Sequence, residues 1–279
     1  MAENTKIQWT DHTFNPWRGC TKVSPGCDHC YAETMSKRNQ SVLGVWGKYG
    51  TRVIASDAMW KEPLRWNREA EALGVRKKVF CASLADVFES RDTMPENSWS
   101  AVAQARLRLF QLIDSTKNLD WLLLTKRPEN IASILREEIS LGTYGEDWNF
   151  ADHMPNVWLG TTVENQKSAD IRIPELLKVP AAVRFLSIEP MLGPVDFMNA
   201  DGDGWRGGMT GAIHWVIVGC ESGKNGRRME RKWTENIVEQ CKAAGVPVFV
   251  KQLEINGKVT GDIEQFPRAL QVREFPTIK

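Results

Sequence analysis

Cys20, Cys27 and Cys30 stand within eleven residues near the start of the chain, and thiols at this spacing can bind a metal ion or a metal cluster. Their number is odd and no secretory signal is recognised, so a disulfide framework is not expected. The loop around them is rich in glycine and proline, and glycine lets a backbone approach a bound group closely. The segment therefore predicts a metal or cluster site on a cysteine-rich loop of about residues 14–31.

Two kinds of site suit these ligands. Structural zinc takes four ligands, and the nearest fourth ligand in the sequence is His29. Because His29 adjoins Cys30, the two side chains would rarely close a good tetrahedron together. A [4Fe-4S] cluster held by three thiolates keeps one iron open for a substrate or a cofactor. Gaps of six and two residues let one loop wrap such a cluster, so both zinc and iron–sulfur are candidates.

Six short apolar segments follow the cysteine-rich loop and predict the strands that position these groups. They cover residues 79–83, 121–125, 157–162, 184–188, 215–219 and 246–250. Their apolar residues are continuous rather than alternating, as in parallel strands covered on both faces. Helical patterns lie between several of them, including 233–244 with Gly245 as its C-cap. A further strand is expected near residues 7–9.

The rhythm of these segments predicts a repeated βα fold. Strand starts lie roughly thirty to forty residues apart, which suits βα units of a barrel better than hairpins. A chain of 279 residues fits one α/β barrel. We therefore expect a parallel (β/α) barrel, partial or irregular and TIM-like, as a single domain over residues 1–279. Insertions are expected at about 40–78 and 191–213.

Polar residues follow all six predicted strands. The carboxyl ends of parallel strands meet at one face of a barrel, where active groups collect. These residues therefore outline a polar pocket. They are Ser83, Asp86, Thr125, Lys126, Arg127, Thr162, Glu164, Asn165, Ser187, Glu189, Glu221, Ser222, Lys251 and Gln252.

Two other segments are candidates for binding anions or nucleic acid. Residues 219–228 combine glycines with Lys224, Arg227 and Arg228, which suits either a phosphate or carboxylate site or an exposed basic turn. Residues 48–78 are rich in basic residues, with tryptophans interleaved. That composition suits phosphate contacts and base stacking, and it equally suits a solvated helix with core-facing tryptophans.

The overall composition does not indicate a charged partner or a membrane segment. The chain has 36 basic and 35 acidic residues, so no global field favours a charged partner. No uninterrupted apolar run reaches membrane-spanning length. We expect a soluble cytoplasmic protein with no membrane contact.

Several short motifs resemble those of a known family. They are Trp9-Thr10-Asp11, Asn15-Pro16, Gly19-Cys20, Ser24-Pro25-Gly26-Cys27, Cys30-Tyr31-Ala32-Glu33, Leu124-Thr125-Lys126-Arg127-Pro128, Trp158-Leu159-Gly160, Thr162-Val163-Glu164-Asn165, Leu186-Ser187-Ile188-Glu189-Pro190, Val216-Ile217-Val218-Gly219 and Glu221-Ser222-Gly223. Over nearly its whole length the chain resembles the phage Gp37/Gp68-like proteins, also described as three-Cys-motif or DUF5131 proteins. These proteins in turn are similar to radical S-adenosylmethionine enzymes.

The resemblance implies a fold, two cofactors and a reaction. It implies a barrel of the radical S-adenosylmethionine type, with a [4Fe-4S] cluster on Cys20, Cys27 and Cys30. S-adenosylmethionine would chelate the fourth iron and give a 5′-deoxyadenosyl radical that modifies or repairs a nucleic acid or nucleotide. It also implies a separately encoded partner protein. The expected catalytic residues are Lys126, Glu164, Glu189 and Glu221, and the expected cofactor-binding residues are Ser83, Asp86, Thr125, Thr162, Ser187, Gly219 and Ser222.

Two other functions are compatible with the same residues. In the first, the cysteines hold zinc or a structural cluster in a non-catalytic protein that binds nucleic acid or a partner. In the second and weaker one, the chain is a hydrolase or nuclease with a divalent metal held by Asp86, Glu164, Glu189 and Glu221.

Overall fold

The computed structural model describes residues 5, 7–140, 145, 147–197, 212–223 and 226–277, with only the backbone for 138–140. The chain divides into two compact units. The first comprises Met1–Val23, Cys30–Leu159 and Val179–Ala182, and the second comprises Ser24–His29, Gly160–Lys178 and Val183–Lys279. Most of the predicted insertion at 191–213 lies outside the described residues. The single domain over residues 1–279 stays a prediction.

The first unit is built mainly from three parallel strands and the helices between them. Its elements are β1 (His12–Phe14), β2 (Trp17–Arg18), α1 (Tyr31–Arg38), α2 (Gln40–Leu43), β3 (Val53–Ile54), α3 (Asp57–Leu73), β4 (Lys77–Cys81), α4 (Trp99–Ser115), β5 (Leu119–Thr125), α5 (Ile131–Ser140) and α6 (Phe150–His153). Strand β6 (Val157–Thr162) begins in this unit and ends in the second. Strand β4 pairs in parallel with both β1 and β5, and β2 pairs antiparallel with β3.

The second unit continues the same alternation. Its elements are α7 (Gln166–Leu177), β7 (Val183–Ile188), β8 (Trp215–Val218), α8 (Arg231–Ala244), β9 (Val248–Val250), β10 (Leu253–Ile255) and β11 (Lys258–Thr260). Strand β8 pairs in parallel with β7 and with β9, whereas β10 and β11 form an antiparallel pair.

The strand order confirms the predicted fold class. One seven-stranded sheet has the order β1-β4-β5-β6-β7-β8-β9, so each strand lies beside the previous sheet strand in the sequence. This is the order of a partial (β/α) barrel, and a doubly wound sheet would reverse direction near its middle. The six predicted strands correspond to β4–β9.

The predicted strand at residues 7–9 is wrong by several residues. Residues 8 and 9 form a turn, and the first strand is β1. Trp9 packs against Phe80 with ring centroids 4.7 Å apart. The Asp11 carboxylate then accepts a 2.7 Å hydrogen bond from the backbone N–H of Lys78. The apolar Trp9 side chain thus serves packing before the strand begins.

Local sequence signals explain where several helices begin and end. Asn165 caps α7: its side chain accepts a hydrogen bond from the Ser168 backbone N–H, and Ser168 Oγ accepts one from the Asn165 backbone N–H. Helix α8 ends at Gly245, whose φ of 66° is in the left-handed region that glycine occupies without strain. The predicted C-cap at Gly245 is therefore confirmed.

The core contains the residues that apolar patterning assigns to it. Trp121, Trp158 and Trp215 are almost fully buried, and so are Cys81, Cys220 and Cys241, as expected of cysteines that pack as small hydrophobes. Among the described helices, none is long and apolar enough to cross a membrane.

Candidate functional site

The Cys20 thiol lies beside a buried arginine in the first unit. Arg127 Nη1 is 3.7 Å from Cys20 Sγ, and Arg127 Nη2 donates a 2.6 Å hydrogen bond to the carbonyl oxygen of Thr21. Arg127 stands two residues after the end of β5. A guanidinium is always charged, so this one is suited to stabilise negative charge that develops on the sulfur.

Two of the predicted strand-end residues hold this arginine in place. Asp86 Oδ2 accepts a 2.9 Å hydrogen bond from Arg127 Nη1, and Asp86 Oδ1 accepts one of 2.7 Å from Thr125 Oγ1. The backbone N–H of Lys126 lies 3.3 Å from Asp86 Oδ2. The ends of β4 and β5 therefore do bring predicted residues together near Cys20. Arg127 was predicted as one of the polar residues that follow the strands, but no catalytic or binding role was predicted for it.

A second buried ion pair holds the backbone that follows Cys20. Arg52 Nε donates a 2.8 Å hydrogen bond to Glu89 Oε2, and Arg52 Nη2 lies 2.7 Å from Glu89 Oε1. Both side chains are fully buried. Glu89 Oε1 also accepts a 3.0 Å hydrogen bond from the backbone N–H of Thr21. Sequence reasoning missed this pair because no local pattern links charges 37 positions apart.

Ser83 and Cys30 are each fixed by hydrogen bonds within the first unit. Asn15 Nδ2 donates a 3.1 Å hydrogen bond to Ser83 Oγ. The Tyr31 hydroxyl donates one of 2.8 Å to the Ser83 carbonyl oxygen. Cys30 immediately precedes α1, and its carbonyl oxygen accepts a 3.0 Å hydrogen bond from the backbone N–H of Thr34. The start of α1 therefore sets the position of Cys30.

The surroundings of Cys20 favour its neutral form when no metal is bound. Burial raises the pKa of the Cys20 thiol to about 12, although the charge of Arg127 opposes part of this effect. Metal-free protein thus carries a protonated Cys20 at neutral pH. Binding of a metal or a cluster at this sulfur must release a proton.

We expect Cys20 of the metal-free protein to react with iodoacetamide near neutral pH roughly 100-fold or more slowly than an unstructured cysteine peptide, because only the thiolate reacts. Peptide mass spectrometry of a quenched time course gives the rate for each cysteine separately. The same reaction in concentrated guanidinium chloride is the control, since unfolding removes the burial. A native Cys20 rate equal to that of the peptide would contradict the raised pKa.

Cys27 belongs to the second unit, where its segment Ser24–His29 contacts a predicted catalytic carboxylate. Ser24 Oγ donates a 2.6 Å hydrogen bond to Glu164 Oε1. Glu164 Oε2 lies 3.0 Å from Arg172 Nη1. Both carboxylate oxygens of Glu164 are therefore engaged, one by the segment and the other by α7.

A second predicted carboxylate contacts the same segment from the end of β8. Glu221 Oε2 accepts hydrogen bonds of 2.8 and 2.9 Å from the backbone N–H and the Nε of Arg227. His29 Nδ1 lies 3.1 Å from the same oxygen. Burial acts to raise the pKa of Glu221, but the hydrogen bonds from Arg227 outweigh it and lower that pKa below its ordinary value. Glu221 is therefore ionised at neutral pH.

Other predicted residues of the second unit lie at the ends of β7 and β8. Glu189 forms an ion pair with Lys251. Gly219 lies against this carboxylate, because a Cβ at that position would be 3.2 Å from Glu189 Cδ. Ser222 Oγ lies 3.3 Å from Gln252 Nε2.

Thr162 and Ser187 are buried at the ends of β6 and β7. The Thr162 carbonyl oxygen accepts a 2.9 Å hydrogen bond from Arg172 Nη1, and the Ser187 carbonyl oxygen accepts one of 2.9 Å from the backbone N–H of Val163. These contacts order the strand ends. A cofactor-binding role for the two side chains stays a prediction.

The two arginines of the predicted anion site at residues 219–228 contact carboxylates of the protein. Arg227 contacts Glu221, as described, and Arg228 Nε lies 3.0 Å from Glu254 Oε1. Lys224 lies outside the described residues. The described arginines of this turn therefore face carboxylates of the protein itself.

Each of the four predicted strand-end carboxylates is paired with a basic side chain. The pairs are Asp86 with Arg127, Glu164 with Arg172, Glu189 with Lys251, and Glu221 with Arg227. Within the described part of the chain, no three His, Cys, Asp or Glu side chains are grouped as ligands of one metal ion. A divalent cation would have to displace these basic partners, so the arrangement gives little support to the hydrolase or nuclease alternative.

The three thiols suit an iron–sulfur cluster in donor type and number. Cys20, Cys27 and Cys30 are free and partly exposed, unlike the other three cysteines, which are buried. In a [4Fe-4S] cluster each cysteine binds a different iron, so the sulfurs need not converge on one point as the ligands of zinc do. Arg127 adds a positive charge beside one of these sulfurs.

The basic and aromatic segment at residues 48–78 is largely structural. Trp60 and Trp66 are buried in the core and unavailable for base stacking. Its paired arginines are Arg52 with Glu89, Arg65 with Glu62 and Glu69, and Arg76 with Asp120. Exposed side chains of the segment include Tyr49, with 94% of its surface exposed, as well as Lys61 and Arg68.

Comparisons with known proteins give one family and a distant structural likeness. The profile of the family described as "Protein of unknown function (DUF5131)" matches residues 4–271. No curated protein matches the chain. A spore photoproduct lyase mutant with bound AdoMet and dinucleoside spore photoproduct is 11% identical, covering 85% of this chain and 62% of that chain, with a TM-score of 0.47. A second spore photoproduct lyase mutant is 12% identical, covering 86% of this chain and 64% of that chain, with a TM-score of 0.46. The chain thus spans less than two thirds of either structure.

Proposed function

The chain belongs to the DUF5131 family, and we propose that it is a radical S-adenosylmethionine-like enzyme that holds a [4Fe-4S] cluster and modifies or repairs a nucleic acid or a nucleotide. The observation that carries this proposal is the trio of free, partly exposed thiols within eleven residues of the sequence. A cytoplasmic location, where thiols stay reduced, is part of the proposal. So is a separately encoded partner protein.

The cysteines and Arg127 have different roles in this proposal. Cys20, Cys27 and Cys30 each ligate one iron, and Arg127 stabilises the charge on the Cys20 sulfur. When bound, the cluster and S-adenosylmethionine supply a 5′-deoxyadenosyl radical. The protein contributes binding, orientation and exclusion of water around that chemistry.

The strand-end side chains are the proposed contacts of cofactor and substrate. We assign cofactor binding to Ser83, Asp86, Thr125, Thr162, Ser187, Gly219 and Ser222. Lys126 and Glu189 are the proposed contacts of the substrate. Glu164 and Glu221 were predicted to be catalytic as well. Because Glu164 binds Ser24 and Glu221 contacts His29 and Arg227, we assign neither of them to the substrate.

Anaerobic reconstitution with iron and sulfide tests the proposal. We expect about four irons and four sulfides per chain, and release of 5′-deoxyadenosine after reduction in the presence of S-adenosylmethionine. Single-stranded DNA, duplex DNA, RNA and free nucleotides are then added in turn, and a change in the product mixture identifies the substrate class. Stoichiometric zinc without sulfide would instead support the non-catalytic binding protein. Normal cluster loading without any cleavage would exclude the radical reaction.

A further inference from the structure

The segment around Cys27 is held by side chains that come from the ends of two strands. Ser24 Oγ donates its 2.6 Å hydrogen bond to Glu164 Oε1, two residues beyond β6. Gly26 lies against the same group, because a Cβ on Gly26 would be 2.4 Å from that oxygen. Only glycine leaves room for this carboxylate, so the contact depends on the residue directly before Cys27.

The other side of the segment is bound by Arg227. Its Nη2 donates a 2.7 Å hydrogen bond to the carbonyl oxygen of Pro25, and its Nη1 lies 3.6 Å from Asp28 Oδ2. Glu221 holds Arg227 through three hydrogen bonds and is itself close to His29. Each of the five other residues in the Ser24–His29 segment therefore lies against one of three side chains, namely Glu164, Arg227 or Glu221.

These holding groups are themselves fixed. Glu164 is 1% exposed and Glu221 is 4% exposed. Arg172 binds Glu164 Oε2 and the carbonyl oxygen of Thr162 with the same Nη1 atom, at 3.0 and 2.9 Å. A carboxylate that is buried and hydrogen-bonded through both oxygens has few accessible orientations. It therefore restrains the segment that it binds.

We propose that Glu164, Glu221 and Arg227 are positioning residues that order the Ser24–His29 segment and so present the Cys27 sulfur to the cluster. The inference rests on the proposed function, because it takes Cys27 as an iron ligand. Partners that orient the ligands of a metal site typically change its affinity 10–100-fold when they are removed. This explains why two predicted catalytic carboxylates are already engaged by the protein.

Four variants of the full chain form matched pairs for the test. Ser24→Ala removes the hydroxyl that binds Glu164, and Ser24→Thr keeps a hydroxyl there. Arg227→Met removes the guanidinium that binds the segment, and Arg228→Met removes the neighbouring guanidinium, which contacts Glu254 instead. Thermal unfolding of each variant shows whether the fold is retained.

The first measurement is hydrogen exchange of the metal-free protein, followed by mass spectrometry of peptides that cover residues 24–29. We expect exchange in this segment to become roughly tenfold faster in Ser24→Ala and Arg227→Met, since local opening controls exchange. Ser24→Thr and Arg228→Met should match the unmodified chain. Unchanged exchange in both of the disrupting variants would overturn the proposal.

The second measurement uses protein reconstituted with iron and sulfide. We expect iron to be lost to a chelator about 10–100-fold faster in Ser24→Ala and Arg227→Met, with an altered electron paramagnetic resonance spectrum of the reduced cluster. A purely structural role would speed exchange but leave iron retention and the spectrum unchanged, and this result would overturn the positioning role. If the unmodified chain holds no iron and sulfide, the proposed function fails, while faster exchange in the variants still supports the ordering of the segment.

Discussion

Glu89→Ala should lower the free energy of unfolding by about 3–5 kcal/mol, because it leaves the Arg52 guanidinium buried without its counter-charge. The two side chains are fully buried and joined by two hydrogen bonds. The same substitution also removes the acceptor for the Thr21 backbone N–H. Urea unfolding, followed by circular dichroism on metal-free protein, measures the change as a shift of the midpoint at constant slope.

Two other variants distinguish the cost of an unpaired buried charge from the cost of removing a charged side chain in general. Arg52→Met with Glu89→Met removes both charges together, and we expect it to cost far less than the single change because no ion is left unpaired. Glu62→Ala removes one partner of the partly exposed Arg65 pair on α3 and should cost no more than about 1 kcal/mol. A single Glu89→Ala change as mild as Glu62→Ala would show that water reaches Arg52 in the native state.

The strand pattern was predictable because it depends on apolar residues close together in the sequence. Continuous runs such as 157–162 indicated strands covered on both faces, and the structure has β6 at that place with every residue buried. The first strand was misplaced because the large side chain of Trp9 packs from a turn onto Phe80. Burial and strand pairing are different requirements, and single-sequence patterns do not separate them.

The residues at the strand ends were predictable from the sequence, but the distant contacts of the candidate site were not. The position directly after each strand identified Asp86, Glu164, Glu189 and Glu221, and these carboxylates do occupy strand ends. Arg127 and Lys251, the partners of Asp86 and Glu189, also follow predicted strands, but the contacts that Glu164 and Arg227 make with the Ser24–His29 segment could not be identified in this way. Ser24 lies 140 positions from Glu164, and Arg227 lies 202 positions from Pro25, so only the fold brings them together.

The basic and aromatic segment shows the limit of composition. Tryptophans among arginines suit a nucleic-acid surface and a core-facing helix equally well in sequence. The structure assigns Trp66 to the core, where its ring stacks on His12 with centroids 4.3 Å apart. Composition alone could not show which partner would cover the ring.

Replacing any one of Cys20, Cys27 and Cys30 with alanine should abolish stable cluster binding. Two thiolates hold a [4Fe-4S] cluster poorly, so iron per chain should fall at least tenfold from about four after anaerobic desalting with a chelator. Iron and acid-labile sulfide assays measure the loss, and the visible absorption of the cluster should disappear with it. Because Cys27 and Cys30 are partly exposed, their metal-free variants should unfold at nearly the same temperature as the unmodified chain, whereas the Cys20 variant also loses the packing of a buried sulfur.

Cys241→Ala is the matched control for these three variants. Cys241 is a free thiol buried on α8, so its loss should lower stability through packing while leaving iron and sulfide unchanged. Equal iron loss in the control would mean that stability, and not ligation, decides cluster content. Full iron retention in all three loop variants would remove the cysteine trio as the ligand set. Loss in only two of the three would assign the remaining cysteine to the ordering of its loop.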